Sequence, residues 1–549
     1  KARSKSRRIF REKVNVNICA IQESSGFPGE AIEYFVNSGK TGNLVQREDI
    51  EYLINIFRDA GNFGSILEVK PINFEAVERR LEEIRNEEAG DFFGYKYRNI
   101  ILDQVPQLVK QAKIMSRKYD VVVTNPPYMG NRGMNDRLRD YVSDKFKDVK
   151  SDLFSAFIVR NFDYAKPYGH LGLMTPFVWM FISSYEKLRE IIIMKKTVTS
   201  LVQLEYSGFE EATVPICTFT VRNTYVPAKG EYIRLSEFRG AELQPVKTLE
   251  AARNAKVGYR YSVESCNFQK IPGMPVAYWV SNGIINCFKK GIPLGEIAEP
   301  KVGLQTGDND KFLRMWYEVP VCNVGFNYSS TGKAAESGLK WFPYNKGGEY
   351  RKWYGNNVFV VNWENDGAEI KNFKDKNGRL RSRPQNTQFY FRKGITWSFV
   401  SSSYFGARYT DPGFIFDVGG STVFPSEKYL LFLTGLLCSK ISTELMKALN
   451  PTLNFQVGNV ASVPVILPGD KEVSEVDSIV KENIELSRTD WDFFETSWDF
   501  KKHPLLACKG SSTTVEQAFG NWWVFAEKQF NRLKANEREL NRIFIGIYG

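Results

Sequence analysis

Tyr119-Asp-Val-Val-Val-Thr-Asn-Pro-Pro-Tyr128 is the stretch from which the rest of the chain is read. The apolar run Val121 to Val123 has the form of a fully buried strand. Two prolines follow almost at once. Proline removes a ladder donor and fixes φ, so Pro126-Pro127 cannot lie inside a sheet, and the strand ends near Asn125. The next residues form a rigid turn at a strand's C-terminal edge, where open α/β sheets bind ligands.

The residue types at that edge suit one reaction. Asn125 offers a side-chain carbonyl oxygen, and Pro126 has no N–H to compete with the backbone acceptors. Two acceptors facing an exocyclic amino group bind both its hydrogens. They draw the nitrogen lone pair out of conjugation and aim it at an electrophile. Tyr128 supplies a flat ring for base stacking, worth ~1–3 kcal/mol per base. The combination serves amino methylation of a flipped-out base. An ordinary Asn-Pro-Pro turn without function is the plain alternative; the strand before it and the aromatic after it favour the functional reading. Asn125, Pro126, Pro127 and Tyr128 resemble the Asn-Pro-Pro-Tyr motif of amino-methyltransferases that use S-adenosylmethionine. The motif alone leaves the substrate open among adenine in DNA, an RNA base and a glutamine side chain.

Outward from this turn the chain alternates. Upstream, Val14 to Ile21 reads as a strand running into Gln22-Glu23-Ser24, a loop at the same edge as Asn125. Arg47 to Ala60 and Phe74 to Ala89 read as amphipathic helices, the second with a solvated Glu/Arg face. Arg98 to Lys118 reads as a helix kinked at Pro106. Downstream come a charged helix, Asp136 to Asp148, and a helix opened by Asp152 that ends at Lys166-Pro-Tyr-Gly169. A strand His170 to Thr175, a helix Phe177 to Met194 and strands Ser200 to Glu205 and Pro215 to Arg222 follow. This rhythm predicts a parallel α/β sheet with an antiparallel finish.

The order is similar to the second half of the S-adenosylmethionine-dependent methyltransferase fold. Asp152-Leu-Phe with Lys166-Pro-Tyr-Gly169 resembles the helix and turn after that family's catalytic strand. Gly208-Phe209-Glu-Glu-Ala-Thr-Val-Pro resembles its later motif, which implies that Phe209 stacks on the base as a second aromatic; a core Phe at a strand end is the alternative. One departure stands out. The family's cofactor loop is a glycine-rich turn, and this chain has no Gly-x-Gly. The expectation is that the loop lies before Lys1, leaving the S-adenosylmethionine site incomplete in this chain. Gly39-Lys-Thr41 is not a phosphate loop, because Tyr34 stands where its first glycine is needed.

Beyond Tyr225 the composition changes. From about Pro293 to Pro468 the chain is rich in aromatics, glycines and basic residues. Arginine can read guanine edges and lysine can hold phosphate. The DNA-contact candidates are Arg351, Lys352, Arg379, Arg381, Arg383, Arg392 and Arg408, with a solvent-facing charge as the bland reading for most. Glu369-Ile-Lys371 with Asp366 could be the acidic triplet of a nuclease, but it reads as a chance triplet in a loop. The last part, Asp470 to Gly549, reads as helices around Asp490 to Phe500.

Composition bounds these readings. The 549 residues, 43% hydrophobic and 25% charged, suit several soluble domains. No apolar run approaches a membrane span, and no signal peptide opens the chain, so the expected compartment is the cytoplasm. Seven scattered cysteines and two histidines predict no metal site. A net charge of +11 and 14% aromatic content favour a nucleic-acid partner. Seven basic side chains within the first 13 residues form either a nucleic-acid arm or the last turn of a helix. Both chain ends read as cuts through a longer protein.

The marks Glu495-Thr-Ser-Trp-Asp-Phe500, His503-Pro-Leu505 and Glu539-Leu-Asn-Arg-Ile-Phe544 resemble the large adenine methyltransferases of BREX phage-defence systems (PglX type) and their single-chain restriction-modification cousins. The resemblance runs almost end to end. It implies a catalytic methyltransferase domain at 1–228, a connecting region at 229–292, a mixed α+β target-recognition domain at 293–468 and a helical connector at 469–549. It also implies adenine N6-methylation of double-stranded DNA, alongside other defence-system proteins and away from membranes. The alternatives are a restriction-modification enzyme whose nuclease lies outside this chain, and a non-catalytic DNA-specificity fragment.

Overall fold

In the computed structural model, residues 17–37, 44–88, 91–206, 214–401, 404–452 and 454–549 are described. The chain divides into two compact units, Lys1–Trp179 with Ser184–Ser265, and Met180–Ser183 with Cys266–Gly549.

Among the described residues the first unit is built on six strands: β1 (Tyr119–Thr124), β2 (Ala165–Pro176), β3 (Thr197–Gln203), β4 (Ile216–Arg222), β5 (Lys229–Arg234) and β6 (Arg260–Glu264). Their order across the sheet is β1-β2-β4-β3-β5-β6. The pairs β1–β2 and β3–β5 are parallel; β4 is antiparallel to both β2 and β3, and β6 is antiparallel to β5. The expected α/β sheet is therefore present as a mixed sheet. Leu173, Phe219, Leu201 and Tyr232 face one another across four strands, and all four are buried. Removing such rows from water, at ~25 cal/mol per Å² of apolar surface, is what holds the sheet together.

Two expectations change here. The division placed at 228/229 falls inside this sheet, between β4 and β5. Lys229-Gly-Glu-Tyr-Ile-Arg234 is short and half polar, and it is a strand because Leu201 of β3 pairs with its Tyr232. β1 is also not a fully buried strand. Among the described residues it pairs with β2 alone, and Val121 and Val123 are 61% and 77% exposed. The prolines do end it, since β1 stops at Thr124. Residues 14–16 of the expected first strand, and Gly39 to Thr41, lie outside the described residues, and 17–21 carry no strand.

Helices cover the sheet. The longest is α1 (Phe92–Ser116), capped by Asp91, whose carboxylate accepts the Gly94 amide at 2.6 Å, with Pro106 inside it. It buries Ile101, Val105, Leu108 and Ala112 in a core shared with helices Arg47–Ile56 and Phe74–Asn86. Arg80 on the last of these is fully buried and pairs with Glu83 and Glu87, so the charged stripe there is only partly solvated. After β1 come α2 (Leu153–Tyr164) and, after two 3-10 turns, α3 (Glu186–Lys195).

Among the described residues the second unit carries ten short strands: β7 (Ile292–Pro293), β8 (Glu299–Lys301), β9 (Leu313–Met315), β10 (Trp341–Asn345), β11 (Phe359–Asn362), β12 (Gly394–Trp397), β13 (Ala407–Thr410), β14 (Ile415–Phe416), β15 (Thr422–Phe424) and β16 (Pro464–Val465). They form two four-stranded sheets, β14-β10-β11-β9 and β13-β12-β15-β8, and a pair, β16-β7. Against them pack α4 (Glu427–Cys438), α5 (Asp470–Asp492) and α6 (Val515–Tyr548). The expected boundary at 468/469 does not separate two cores. Val476, Val480, Leu540 and Phe544 of α5 and α6 share one core with Leu433, Leu436, Ile395 and Trp397. Gly435 lets α4 and α5 meet: a Cβ there would stand 2.8 Å from Val480 Cγ2. No single helix among the described residues is long and apolar enough to cross a membrane; α4 is apolar because it lies at the centre of this core.

Candidate active site

β1 and β2 run parallel; β2 runs on to Pro176, and β1 ends at Thr124, opposite Leu173. The Asn125-Pro126-Pro127-Tyr128 turn leaves from that end, with Pro126 buried and its three companions exposed to differing degrees. The Tyr128 hydroxyl donates to Asn125 Oδ1 at 2.9 Å and lies 3.3 Å from the Met174 carbonyl of β2. The Phe154 ring of α2 stands edge-on to Tyr128 at 6.4 Å, and Tyr185 packs on Phe154 at 5.4 Å. Tyr128 therefore keeps 37% of its surface open over a floor of buried aromatics. Partial burial raises its phenol above the ordinary range, and the neighbouring Cys217 adds to this. Cys217 itself is pushed up to about 12 by burial, so it stays a thiol and is not a nucleophile.

The turn is anchored downstream by Asp152, whose Oδ1 accepts the Met129 amide at 3.0 Å. Burial lifts this carboxyl above its usual range, against the pull of the backbone amides it accepts. Sequence reading saw Asp152 as a helix cap or first-turn acid and as part of the Asp152-Leu-Phe resemblance, not as a partner of the turn. The contact to Met129 spans 23 residues and leaves no local signal.

Cys19 and Ile21 line a cavity of about 390 Å³ beside Val121–Thr124, together with Ser65, Asn161 and Tyr164. The loop expected at this edge is pinned nearby: Gln22 exchanges two hydrogen bonds with Gln111 of α1, and Glu23 accepts the Gly61 amide at 2.9 Å. Phe209 lies outside the described residues.

The basic residues singled out in the second unit fall into two groups. Arg379, Arg381, Arg383 and Arg392 are exposed. The first three lie on a hairpin-like loop in which Lys374 bridges Leu380, and Arg392 sits over the Phe389 and Phe424 rings. The other three are engaged within the fold. Arg351 pairs with Asp490 at 2.7 Å and covers the Trp491 ring. Lys352 pairs with Glu537 at 3.0 Å. Arg408 is a core residue, 2% exposed, with a 3.4 Å bond to Ser398 Oγ and an orphaned Nε. Burial pulls its guanidinium down to about 10.

The aromatics of this region are mostly core. All five residues of β10 are buried, and Tyr344 donates to Asp417 at 2.6 Å. Glu369 and Lys371 lie on the helix Glu364–Lys371 rather than in a loop; Glu369 turns to Lys311 and Asn362, while Lys371 pairs with Asp366 of the same candidate set. Trp498, in the stretch singled out near the C-terminus, packs on Phe326 and Phe414, which gives that stretch a structural task.

Comparison with known proteins gives three findings. Residues 39–209 match the family described as Eco57I restriction-modification methylase. The whole chain is 34% identical to the adenine-specific methyltransferase PglX of Lacticaseibacillus casei (strain Zhang), covering 46% of that protein. It is 32% identical to the adenine-specific methyltransferase BrxX of Escherichia coli O9:H4 (strain HS), covering 45%. The chain thus spans a little under half the length of these curated relatives. Among solved structures, the type IIL restriction-modification enzyme MmeI in complex with DNA is similar at a TM-score of 0.49 and 10% identity, over 78% of this chain and 54% of that one.

Proposed function

The chain is a relative, along its whole length, of the PglX-type adenine-specific methyltransferases, and from that premise we propose that it acts in site-specific N6-methylation of adenine in DNA. The observation that carries the proposal is the meeting of Asn125 and Tyr128 where β1 ends beside its parallel neighbour β2. Asn125 Oδ1 and the Pro126 carbonyl accept the two hydrogens of the target amino group. Tyr128, backed by Phe154, stacks on the extruded base, and Phe209 is the second stacking aromatic. Holding both hydrogens localises the lone pair on the amino nitrogen and makes it the nucleophile.

The methyl donor belongs to the S-adenosylmethionine class, which supplies an electrophilic methyl group. The described residues fit it incompletely. The cavity beside β1 is lined largely by apolar side chains, and no glycine-rich turn follows a strand there. The first unit is accordingly the second part of a methyltransferase sheet, and no step here runs through the donor. The second unit is the DNA target-recognition region, with Arg379, Arg381, Arg383 and Arg392 as its contacts to double-stranded DNA. The product marks self DNA in phage defence, alongside other proteins of such a system.

The test is transfer of labelled methyl from S-adenosylmethionine to unmethylated DNA by the complete protein. Wild type should label adenine at N6, and Asn125→Ala should lose at least ~10²-fold in rate, as when one preorganised hydrogen-bonding group is removed from other active sites. Label on cytosine or on protein, or an Asn125→Ala variant that keeps its rate, would sink the proposal.

A further inference from the structure

Asp152 stands outside the four-residue turn yet holds it. Its Oδ1 accepts two amides: that of Met129, directly after Tyr128, at 3.0 Å, and that of Phe154, in the first turn of α2, at 3.2 Å. Around this carboxylate the two segments run as a short antiparallel pair. Leu153 donates to the Met129 carbonyl at 2.9 Å, Asn131 donates to the Ser151 carbonyl at 3.2 Å, and Gly130 bridges Asp152. Phe154, two residues on, presents its ring edge to Tyr128.

A helix cap alone does not require this arrangement. Ser, Thr, Asn and Asp all cap a helix by accepting an amide in its first turn. The second amide on the same oxygen comes from a residue outside the helix, in the loop that leaves the candidate site. One side chain therefore couples two positions: where α2 begins, which sets Phe154, and where the turn ends, which sets Tyr128. Tyr128 in turn holds Asn125 through its hydroxyl.

We propose that Asp152 is a positioning residue for methyl transfer, locking the exit of the Asn125–Tyr128 turn onto the start of α2 so that the acceptor and the stacking ring keep a fixed spacing. The inference rests on the methyltransferase reading above. Misplacement of a reacting group by ~1 Å can cost ~10²-fold in rate, and a loosened turn exit has room for that.

Two variants separate clamp from cap. Asp152→Ser caps α2 but is one bond shorter and cannot also reach Met129. Asp152→Asn keeps an acceptor oxygen in place for both amides. In the complete protein, Asp152→Ser should lower kcat roughly 10²-fold, with KM for DNA unchanged and the variant still folded, and Asp152→Asn should restore most of kcat. Amide hydrogen exchange on this chain supplies a readout independent of methylation. The Met129 amide should exchange slowly in wild type and quickly in Asp152→Ser, while the Phe154 amide stays protected in both. Fast exchange at Met129 in wild type overturns the clamp even if the Ser variant fails to fold. Full kcat in a folded Asp152→Ser variant overturns the positioning role alone. A silent wild type overturns the methyltransferase reading beneath it.

Discussion

The hydroxyl of Tyr128 donates to Oδ1 of Asn125 across 2.9 Å. In the free chain, then, the acceptor proposed for the target amino group is already engaged. A base that enters must exchange one donor for another, and the Tyr128 ring is placed to receive its face once the hydroxyl lets go. The Met174 carbonyl, 3.3 Å from the same hydroxyl, offers the displaced O–H a partner nearby.

Tyr128 therefore contributes through its ring and its hydroxyl, and two substitutions separate them. Tyr128→Ala removes the stack, worth ~1–3 kcal/mol per base, and should weaken methylation by roughly ten- to a hundred-fold. Tyr128→Phe keeps the ring and frees Asn125, so its loss should be much smaller than that of Tyr128→Ala. Initial rates of methyl transfer for the two variants check this; equal losses would show that the hydroxyl, not the ring, matters.

How much of this was legible in sequence depends on range. The strand before the prolines, the helix opened by Asp152 and the turn at Asn125 were readable because each is set by neighbours in the chain. The exposure of Val121 and Val123 among the described residues was not, since an apolar run looks the same beside one neighbouring strand as between two. β5 was missed because Lys229-Gly-Glu-Tyr-Ile-Arg234 carries no clear alternation, and its pairing with β3 supplies what local pattern lacks. Aromatic content counted toward a nucleic-acid partner, yet Trp341, Phe342, Tyr344, Trp353 and Tyr354 of the aromatic-rich region are buried. Composition counts aromatic rings without saying which way they face.

The same distinction sorts the arginines. Arg379, Arg381 and Arg383 are exposed, whereas Arg351 and Lys352 are held by Asp490 and Glu537. Replacing the three loop arginines by Ala should weaken DNA binding and reduce the slope of log K against log salt by about 0.9 for each phosphate no longer neutralised. Arg351→Ala should leave the slope unchanged and lower the thermal midpoint slightly. Fluorescence titrations at several salt concentrations give both slopes; equal slopes for the loop triple variant and wild type would remove that loop from the DNA interface.

Arg408 makes the opposite prediction. A guanidinium 2% exposed, with an orphaned Nε and pulled down to about 10 by burial, costs stability at neutral pH. Replacing buried ions by well-packed apolar residues can stabilise by ~1–4 kcal/mol. Arg408→Met should therefore raise the thermal midpoint and leave the salt dependence of DNA binding as in wild type. Because the folded-state value lies below the unfolded one, the deficit of wild type should hold steady up to about pH 10 and shrink only as pH rises through that value. A lower midpoint for Arg408→Met at neutral pH would mean that the guanidinium is satisfied by something the fold holds in place.

Asp152 allows the sign of a carboxyl to be tested in the same way. Burial lifts it above its ordinary value despite the amides it accepts. A folded-state value above the unfolded one means that the folded chain holds the proton more tightly. The ionised group then costs stability, and that cost sets in as pH rises from the ordinary carboxylate range, ~4, through the lifted value. Asp152→Asn keeps the acceptor for Met129 and Phe154 but has no charge to desolvate. Its thermal midpoint should match that of wild type at the acidic end of the window and exceed it at neutral pH. Paired melting curves across that range measure the gap; a gap that widens toward acid would show that the amides, rather than burial, dominate at Asp152, and that the ionised carboxylate is the form the turn prefers.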